Sequence, residues 1–364
     1  MKIVGSEVSL YRNIGHLTGI QRVMIEVHNF LDSNLLHQDA CLLPVDLGPD
    51  FSKNRPENYL RNFDPLLARD SIDISEIDCL MILDVNQALQ FKKISQERLS
   101  RGLKVLSLIH DIVPLLNPEW FPGNPDVVKR NFRIFLQKLI SVSDTIIVPS
   151  RHVRDTLLNL PWKIDVPIVP IHLGTFLDYS DNHFDDWPGF SKFEISLLYV
   201  STIEPRKNHE TLLDAFNILL ENGVNVGLTF VGRYGWCSSN LLSKIKNHPQ
   251  YNKKLFWHDV LDDSQIGQIY SQCNLVVFPS HDEGFGLGIE EALGRRLKVL
   301  ANEKQVFLER QQPNLYFFKG NAKVLANAIL DVSKQEVDLE AAPNVRSMKN
   351  FANDLMPHIL NLIQ

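Results

Sequence analysis

The run Leu275-Val-Val-Phe-Pro-Ser280, followed by His281-Asp-Glu-Gly-Phe-Gly-Leu-Gly-Ile-Glu-Glu291, decides the fold, because an apolar strand empties there into acids and glycines at the start of a helix. A strand buried on both faces and followed by a helix belongs to a parallel sheet, and such sheets bind ligands at the carboxyl ends of their strands. Glu283 and Glu291 flank a turn made flexible by Gly284 and Gly286. Its backbone N–H groups and the helix dipole suit a phosphate or the hydroxyls of a sugar, which suggests a nucleotide-sugar pocket. The competing reading is a dinucleotide fingerprint, with Leu297-Lys-Val-Leu-Ala as the second strand and Glu303 as the ribose acid. That fingerprint places its glycines directly after the strand. Here three polar residues intervene, and Ile289 stands where the third glycine belongs. A Gly-rich turn with solvated acids is the plain alternative.

Outward from this stretch the pattern repeats. Apolar runs at Leu80-Met-Ile-Leu, Val105-Leu-Ser-Leu-Ile, Thr145-Ile-Ile-Val, Ile195-Ser-Leu-Leu-Tyr-Val and Val226-Gly-Leu-Thr-Phe-Val are separated by segments long enough for helices, such as Glu210 to Leu220. Strands alternating with helices predict α/β architecture with parallel sheets covered on both faces. From Leu177 to Lys192 the chain turns to Asp, Asn, Ser, Trp, Pro and Gly without periodicity, which reads as an exposed connection. The expected division is a first domain over 1–180, a linker over 181–192, a second domain over 193–345 and a C-terminal helix over 346–364 that packs back on the first domain.

Composition narrows the class. The chain has 364 residues, a net charge of −6 and four cysteines with no C-x-x-C spacing, so neither a global pull on nucleic acid nor zinc or disulfide chemistry is expected. No run of 18 apolar residues and no signal-peptide pattern occurs, which gives a cytoplasmic expectation.

Polar clusters follow the strands. Arg206-Lys207 comes after Ile195–Val200, Gly232-Arg233 after Val226–Val231, and His110-Asp111 after the run that begins at Val105. All fall at carboxyl ends, so each set gathers on one rim of its sheet, and two sheets rim to rim make a cleft. Cations at a helix start sit poorly with the dipole unless an anion joins them. His110 reads equally as a hydrogen-bonded core histidine, Asp111 as the holder of the turn before Pro114, and Gly19 as a turn glycine before a helix from Ile20 or a point of close ligand approach. Helical phase does not choose between Glu290 and Glu291. Asp262-Asp263 and Asp185-Asp186 read as solvated acids in polar loops rather than metal ligands. The span Asp126 to Ile140 is amphipathic, with Lys129, Arg130, Arg133 and Lys138 opposite an apolar face. It reads as a domain helix with a wet basic face, or as a surface for an anionic membrane.

These pieces resemble the retaining GT-B glycosyltransferases of family 4, especially bacterial members that build surface polysaccharides. The resemblance rests on Thr18-Gly-Ile-Gln-Arg-Val23, Ile109-His-Asp-Ile-Val-Pro114, Glu204-Pro-Arg-Lys-Asn208, Val231-Gly-Arg233, Phe278-Pro-Ser280 and Glu283-Gly-Phe-Gly-Leu, in family order. It implies two Rossmann-like domains facing each other across a cleft, and transfer of a sugar, with GDP-mannose the first choice of donor, to a saccharide or lipid-linked saccharide acceptor with retention. No cofactor, metal or nucleic acid is implied. The acid-x7-acid pattern of the family is met by Glu283 and Glu291. By resemblance, Glu283 and the N–H groups around Gly284, Phe285, Gly286 and Leu287 hold the donor sugar, Glu291 takes the ribose hydroxyls, and Arg206 and Lys207 neutralise the diphosphate. His110 faces the donor sugar, and Gly19, Asp111, Gly232, Arg233 and Val260 complete the binding set. Gly288 stands where the family usually has proline, so a looser loop is expected. The alternatives are another GT-B sugar-nucleotide enzyme such as an epimerase, or a non-catalytic sugar-nucleotide sensor or partner subunit. Loss of the cations or acids would mark the sensor, and His110, Arg206, Lys207, Glu283 and Glu291 are all present.

Overall fold

The computed structural model describes residues 1–8, 19–47, 70–85, 87–176, 193–236, 239–259, 261–310, 312–338 and 345–364. The chain divides into two compact units, the first made of Met1–Leu115, Lys129–Phe176 and Arg346–Gln364, the second of Leu116–Val128 and Leu177–Val345. The expected linker 181–192, Asp185-Asp186 and Val260 lie outside the described residues.

Unit 1 is a six-stranded sheet of β1 (Lys2–Glu7), β2 (Ala40–Val45), β3 (Cys79–Ile82), β4 (Lys104–Leu108), β5 (Thr145–Val148) and β6 (Ile168–Pro170). The order is β2-β1-β3-β4-β5-β6 and every pairing is parallel. Its core packs Leu80, Ile82, Val105, Ile146 and Val148 against Phe132, Phe135, Leu136 and Leu139 of the helix Pro125–Val142, so the apolar face read from Asp126 to Ile140 is buried and Lys129, Arg130, Arg133 and Lys138 are exposed. The helix Met348–Ile363 packs against the helix Gly19–Leu35 of the same unit. Its entry is fixed by the backbone: Thr175 N–H donates to Arg346 O at 2.8 Å and Met348 N–H to Thr175 O at 3.1 Å. Gly174 permits this, since a Cβ there would stand 2.0 Å from the Ser347 carbonyl. Ser347 then caps the helix in a reciprocal box with Asn350.

Unit 2 repeats the plan with β7 (Ile195–Val200), β8 (Val226–Val231), β9 (Leu255–His258), β10 (Leu275–Phe278), β11 (Lys298–Asn302) and β12 (Leu315–Phe318), ordered β12-β11-β10-β7-β8-β9 and again all parallel. β8 and β10 are buried at every residue, which is why β10 reads as an unbroken apolar run and β8 as one relieved only by Gly227 and Thr229. The chain builds outward from β7 to β9, then crosses to β10 and builds the other way. Strand order therefore reverses between β7 and β10, and the crevice outside their carboxyl ends is the place a doubly wound sheet offers a ligand.

Candidate functional site

The two loops at that reversal are stitched together. Tyr199 at the end of β7 donates its hydroxyl to Lys207 O at 2.9 Å and shares a bond of 2.9 Å with the Ser280 hydroxyl. Asn208 Nδ2 donates to Pro279 O at 3.0 Å, and His281 N–H to Arg206 O at 2.8 Å. Asn208 takes a left-handed φ of 55° to end the turn Pro205–Lys207 and begin the helix His209–Glu221, a conformation asparagine tolerates.

Within this frame the side chains form an ion cluster. Lys207 Nζ lies 2.5 Å from Glu283 Oε1, Arg206 Nη1 3.1 Å from Glu283 Oε2, and Arg206 Nε 2.5 Å from Glu204 Oε1. Ser280 Oγ donates to Glu283 at 3.0 Å. Burial alone would raise the Glu283 carboxyl, but Lys207 and Arg206 together outweigh it and hold the group below its ordinary range. Glu283 is thus a preorganised carboxylate, able only to accept. Two acids balance two bases, and the Glu204 carboxylate, 2% exposed, is a member that the sequence reading left as part of a motif only.

The Gly-rich turn leads into the helix Leu287–Gly294, whose N-cap, Gly286, has φ 87°. A Cβ on Gly286 would meet Phe307 at 2.8 Å, so both backbone and space demand glycine. Gly284 and Phe285 are buried, and Leu287 opens the helix. Gly288 lies inside the first turn of that helix, not in a loosened loop: a Cβ there would stand 2.7 Å from the Phe278 ring, so the packed ring accounts for the glycine. The two acids left open by helical phase are both buried but differently engaged. Glu290 pairs with Arg310, Nε to Oε1 3.3 Å, whereas Glu291 accepts a long bond of 3.5 Å from the Tyr270 hydroxyl.

Gly232 is held at φ 145°, with a would-be Cβ 2.0 Å from Ser201 O, and its carbonyl accepts from Trp257 Nε1 at 3.0 Å. Arg233 next to it is exposed, and its carbonyl accepts from Ile203 N–H at 2.8 Å, tying the loop after β8 to that after β7. Asp262 caps the helix Asp263–Gln272, accepting from Gln265 N–H at 2.8 Å. Glu303, the acid of the dinucleotide reading, pairs with exposed Lys319 at 3.4 Å.

In unit 1, His110 is 7% exposed and its Nε2 donates to Leu83 O at 2.8 Å. A carbonyl only accepts, so this nitrogen carries the proton and Nδ1 is the acceptor. Burial pushes the ring below the usual histidine range and keeps it neutral. Asp111 Oδ1 accepts from Val113 N–H at 3.1 Å, holding the turn ahead of Pro114. Gly19 is the first residue of the helix Gly19–Leu35. The sequence reading also missed Glu7 and Asp84, buried at the carboxyl ends of β1 and β3, where the order of this sheet reverses. The signal for Asp84 was an acid directly after the run Leu80–Leu83.

Comparison with known proteins finds a family and relatives for this chain. The model of the glycosyl transferases group 1 family matches residues 185–350. The serotype-specific mannosyltransferase WbdA of Escherichia coli is 31% identical over 297 residues, covering 77% of this chain and 35% of WbdA. The O-antigen chain mannosyltransferase B of Escherichia coli is 26% identical over 205 residues, 55% of this chain and 53% of that protein. The chain therefore spans about a third of the length of the WbdA relatives it matches. Among solved structures, Anabaena Alr3699/HepE in complex with UDP-glucose has a TM-score of 0.67 at 16% identity, covering 99% of this chain and 100% of that one. Sucrose-phosphate synthase of Thermosynechococcus elongatus gives 0.68 at 14%, covering 100% and 99%. These likenesses extend over both units and show the fold, a two-domain α/β architecture.

Proposed function

We propose, from the premise that residues 185–350 belong to the glycosyl transferases group 1 family, that this chain transfers a mannosyl group from a nucleotide-diphosphate sugar to a saccharide or lipid-linked saccharide in polysaccharide biosynthesis. The observation that carries the reading is the Arg206–Glu283–Lys207 cluster at the strand-order reversal. Breaking a sugar–phosphate bond builds negative charge on the leaving diphosphate, and preorganised cations do most to stabilise it. Arg206 and Lys207 meet that charge. Glu283, kept ionised, accepts from donor-sugar hydroxyls, and Glu291 from the ribose. His110, neutral with Nδ1 as acceptor, orients the donor, while Gly19, Asp111, Gly232, Arg233 and Val260 complete the binding set. Mannose is favoured because the relatives above are mannosyltransferases, and GDP is the proposed carrier. In this reading the reaction retains anomeric configuration and uses neither metal nor cofactor, the paired cations supplying the charge.

The test is transfer from GDP-mannose to a mannosyl acceptor, with and without EDTA, and NMR of the product. Retention and activity in EDTA are expected. Inversion, or activity restored only by magnesium or manganese, overturns the mechanism; no transfer from any of a panel of nucleotide sugars overturns the function.

We propose in addition a cytoplasmic location, in contact with the membrane that bears the acceptor. Among the described residues no helix is long and apolar enough to cross a membrane. The helix Pro125–Val142 exposes Val127 (40%) and Ile134 (44%) among its cations, the mixture an anionic lipid surface attracts. Sedimentation with phosphatidylglycerol vesicles, lost in an Arg130→Glu/Arg133→Glu variant, is expected; equal sedimentation of the variant overturns this contact.

A further inference from the structure

Arg310 lies beyond the short helical turn Gln305–Leu308 that follows β11, outside every motif described above. Its side chain is 3% exposed and that of its partner Glu290 6%. All three nitrogens of its guanidinium are engaged, and one face of the plane is covered. Nε meets Glu290, Nη2 donates to Phe285 O, Nη1 donates to Gly286 O at 3.4 Å, and the plane lies over the Phe285 ring with Cζ 3.9 Å from its centroid.

Burying such a pair gives no general advantage in stability, because apolar residues of the same volume hold a core at least as well. Apolar residues do not, however, take hold of two carbonyls. The two that Arg310 holds belong to the Gly-rich turn, which the glycines at 284 and 286 otherwise leave with more backbone freedom than any other residue type would. A trans peptide is planar, so C=O and N–H point in opposite directions. A carbonyl of Phe285 drawn onto Arg310 therefore turns the N–H of Gly286 away from it, and the carbonyl of Gly286, shared between Arg310 at 3.4 Å and Ile289 N–H at 3.1 Å, does the same for the N–H of Leu287.

We infer that Arg310, neutralised by Glu290, is a positioning residue for the donor loop: it fixes from beneath the direction of the Gly286 and Leu287 N–H groups that hold the donor sugar. This rests on the function proposed above and adds to it a residue outside the acid-x7-acid pattern. It also separates the two neighbouring acids. In the proposed reading Glu291 takes the ribose hydroxyls, whereas Glu290 pairs with Arg310 beneath the turn.

The experiment compares wild-type protein with an Arg310→Met/Glu290→Leu double variant, which fills the same volume without charge, and with Arg310→Lys, which keeps Glu290 neutralised but lacks the planar fork. Wild-type turnover of GDP-mannose is measured first, so failure there belongs to the proposed function and not to this inference. The double variant is expected to keep its melting temperature within about 3 °C and its affinity for GDP within about threefold, while kcat/KM for the nucleotide sugar falls at least about tenfold. Arg310→Lys should lose at least about threefold in the same constant. Wild-type kcat/KM in the folded double variant overturns the inference, as does a loss of GDP affinity equal to the loss of kcat/KM. Should the double variant fail to fold, Arg310→Lys decides, and wild-type kcat/KM there overturns it.

Discussion

At the carboxyl end of the unit 2 sheet, Glu204, Arg206, Lys207 and Glu283 are joined by ion pairs in one cluster, whereas at the same end of unit 1 His110 is a neutral ring bonded to a backbone carbonyl. The difference lies in what sets the position of each group. In unit 2 the charges hold one another, so removing one disturbs the rest and strands a buried partner. In unit 1 the main chain holds the side chain, so a substitution costs about one hydrogen bond.

The largest expected effect breaks the charge cluster. Lys207→Ala leaves Glu283 short of its closest cation and should lower unfolding free energy by about 3 kcal/mol, besides slowing transfer at least about tenfold, or about 1.4 kcal/mol in the barrier. His110→Phe should cost only about 1 kcal/mol of stability. Denaturant titration of both variants checks the contrast, and equal losses would erase it.

Next in size is packing beneath the donor loop. Gly288→Ala forces a methyl against Phe278 and should cost about 2 kcal/mol. Adding Phe278→Leu, which withdraws the ring, should recover part of that loss, a non-additivity read directly from a double-mutant cycle.

Acid should act on both units, since each buries a neutral histidine. His28, bonded to Ser6 in unit 1, and His209, packed against Tyr199 and Phe230 in unit 2, are both lowered by burial from 6.5 to about 3. Below pH 6.5 the unfolded chain takes up a proton at each ring and the folded chain does not. Stability should therefore fall as pH drops from 6.5 towards 3, by up to about 1.4 kcal/mol per pH unit for each histidine. Denaturation curves at several pH values check this, and His209→Phe should make the dependence shallower.

The smallest effect is expected at Glu303. Its pair with Lys319 is exposed, so Glu303→Gln should change stability by less than about 0.5 kcal/mol and leave transfer untouched. A clear loss of donor affinity would reopen the dinucleotide reading.

How much of the fold and the site was legible follows from what holds each residue in place. Arg206, Lys207 and Glu283 were visible because each stands after a strand that reads as a mainly apolar run, broken only by Ser196 in β7, and polar residues there have a rim to occupy. β1 was not legible as a strand, although it is central. Gly5 and Ser6 interrupt its pattern, and both are explained only by neighbours distant in sequence: a Cβ on Gly5 would stand 2.5 Å from Ile77, and Ser6 bonds His28. β9 and β12 lie at sheet edges, are short, and expose part of most residues, so their apolar signal is weak. Arg310 had no local signal. Helical phase leaves Glu290 off the core face, and only the structure shows that charge buried, where it must have a partner.

The discontinuity of unit 1 sets an order of events on the ribosome. Every segment of unit 2 has been synthesised once Val345 is added, whereas unit 1 still lacks the helix Met348–Ile363 that covers the helix Gly19–Leu35. Domains fold as units while the chain grows. The half begun first thus waits for residues 346–364, and until they emerge the helix Gly19–Leu35 carries an uncovered apolar surface that a chaperone can hold.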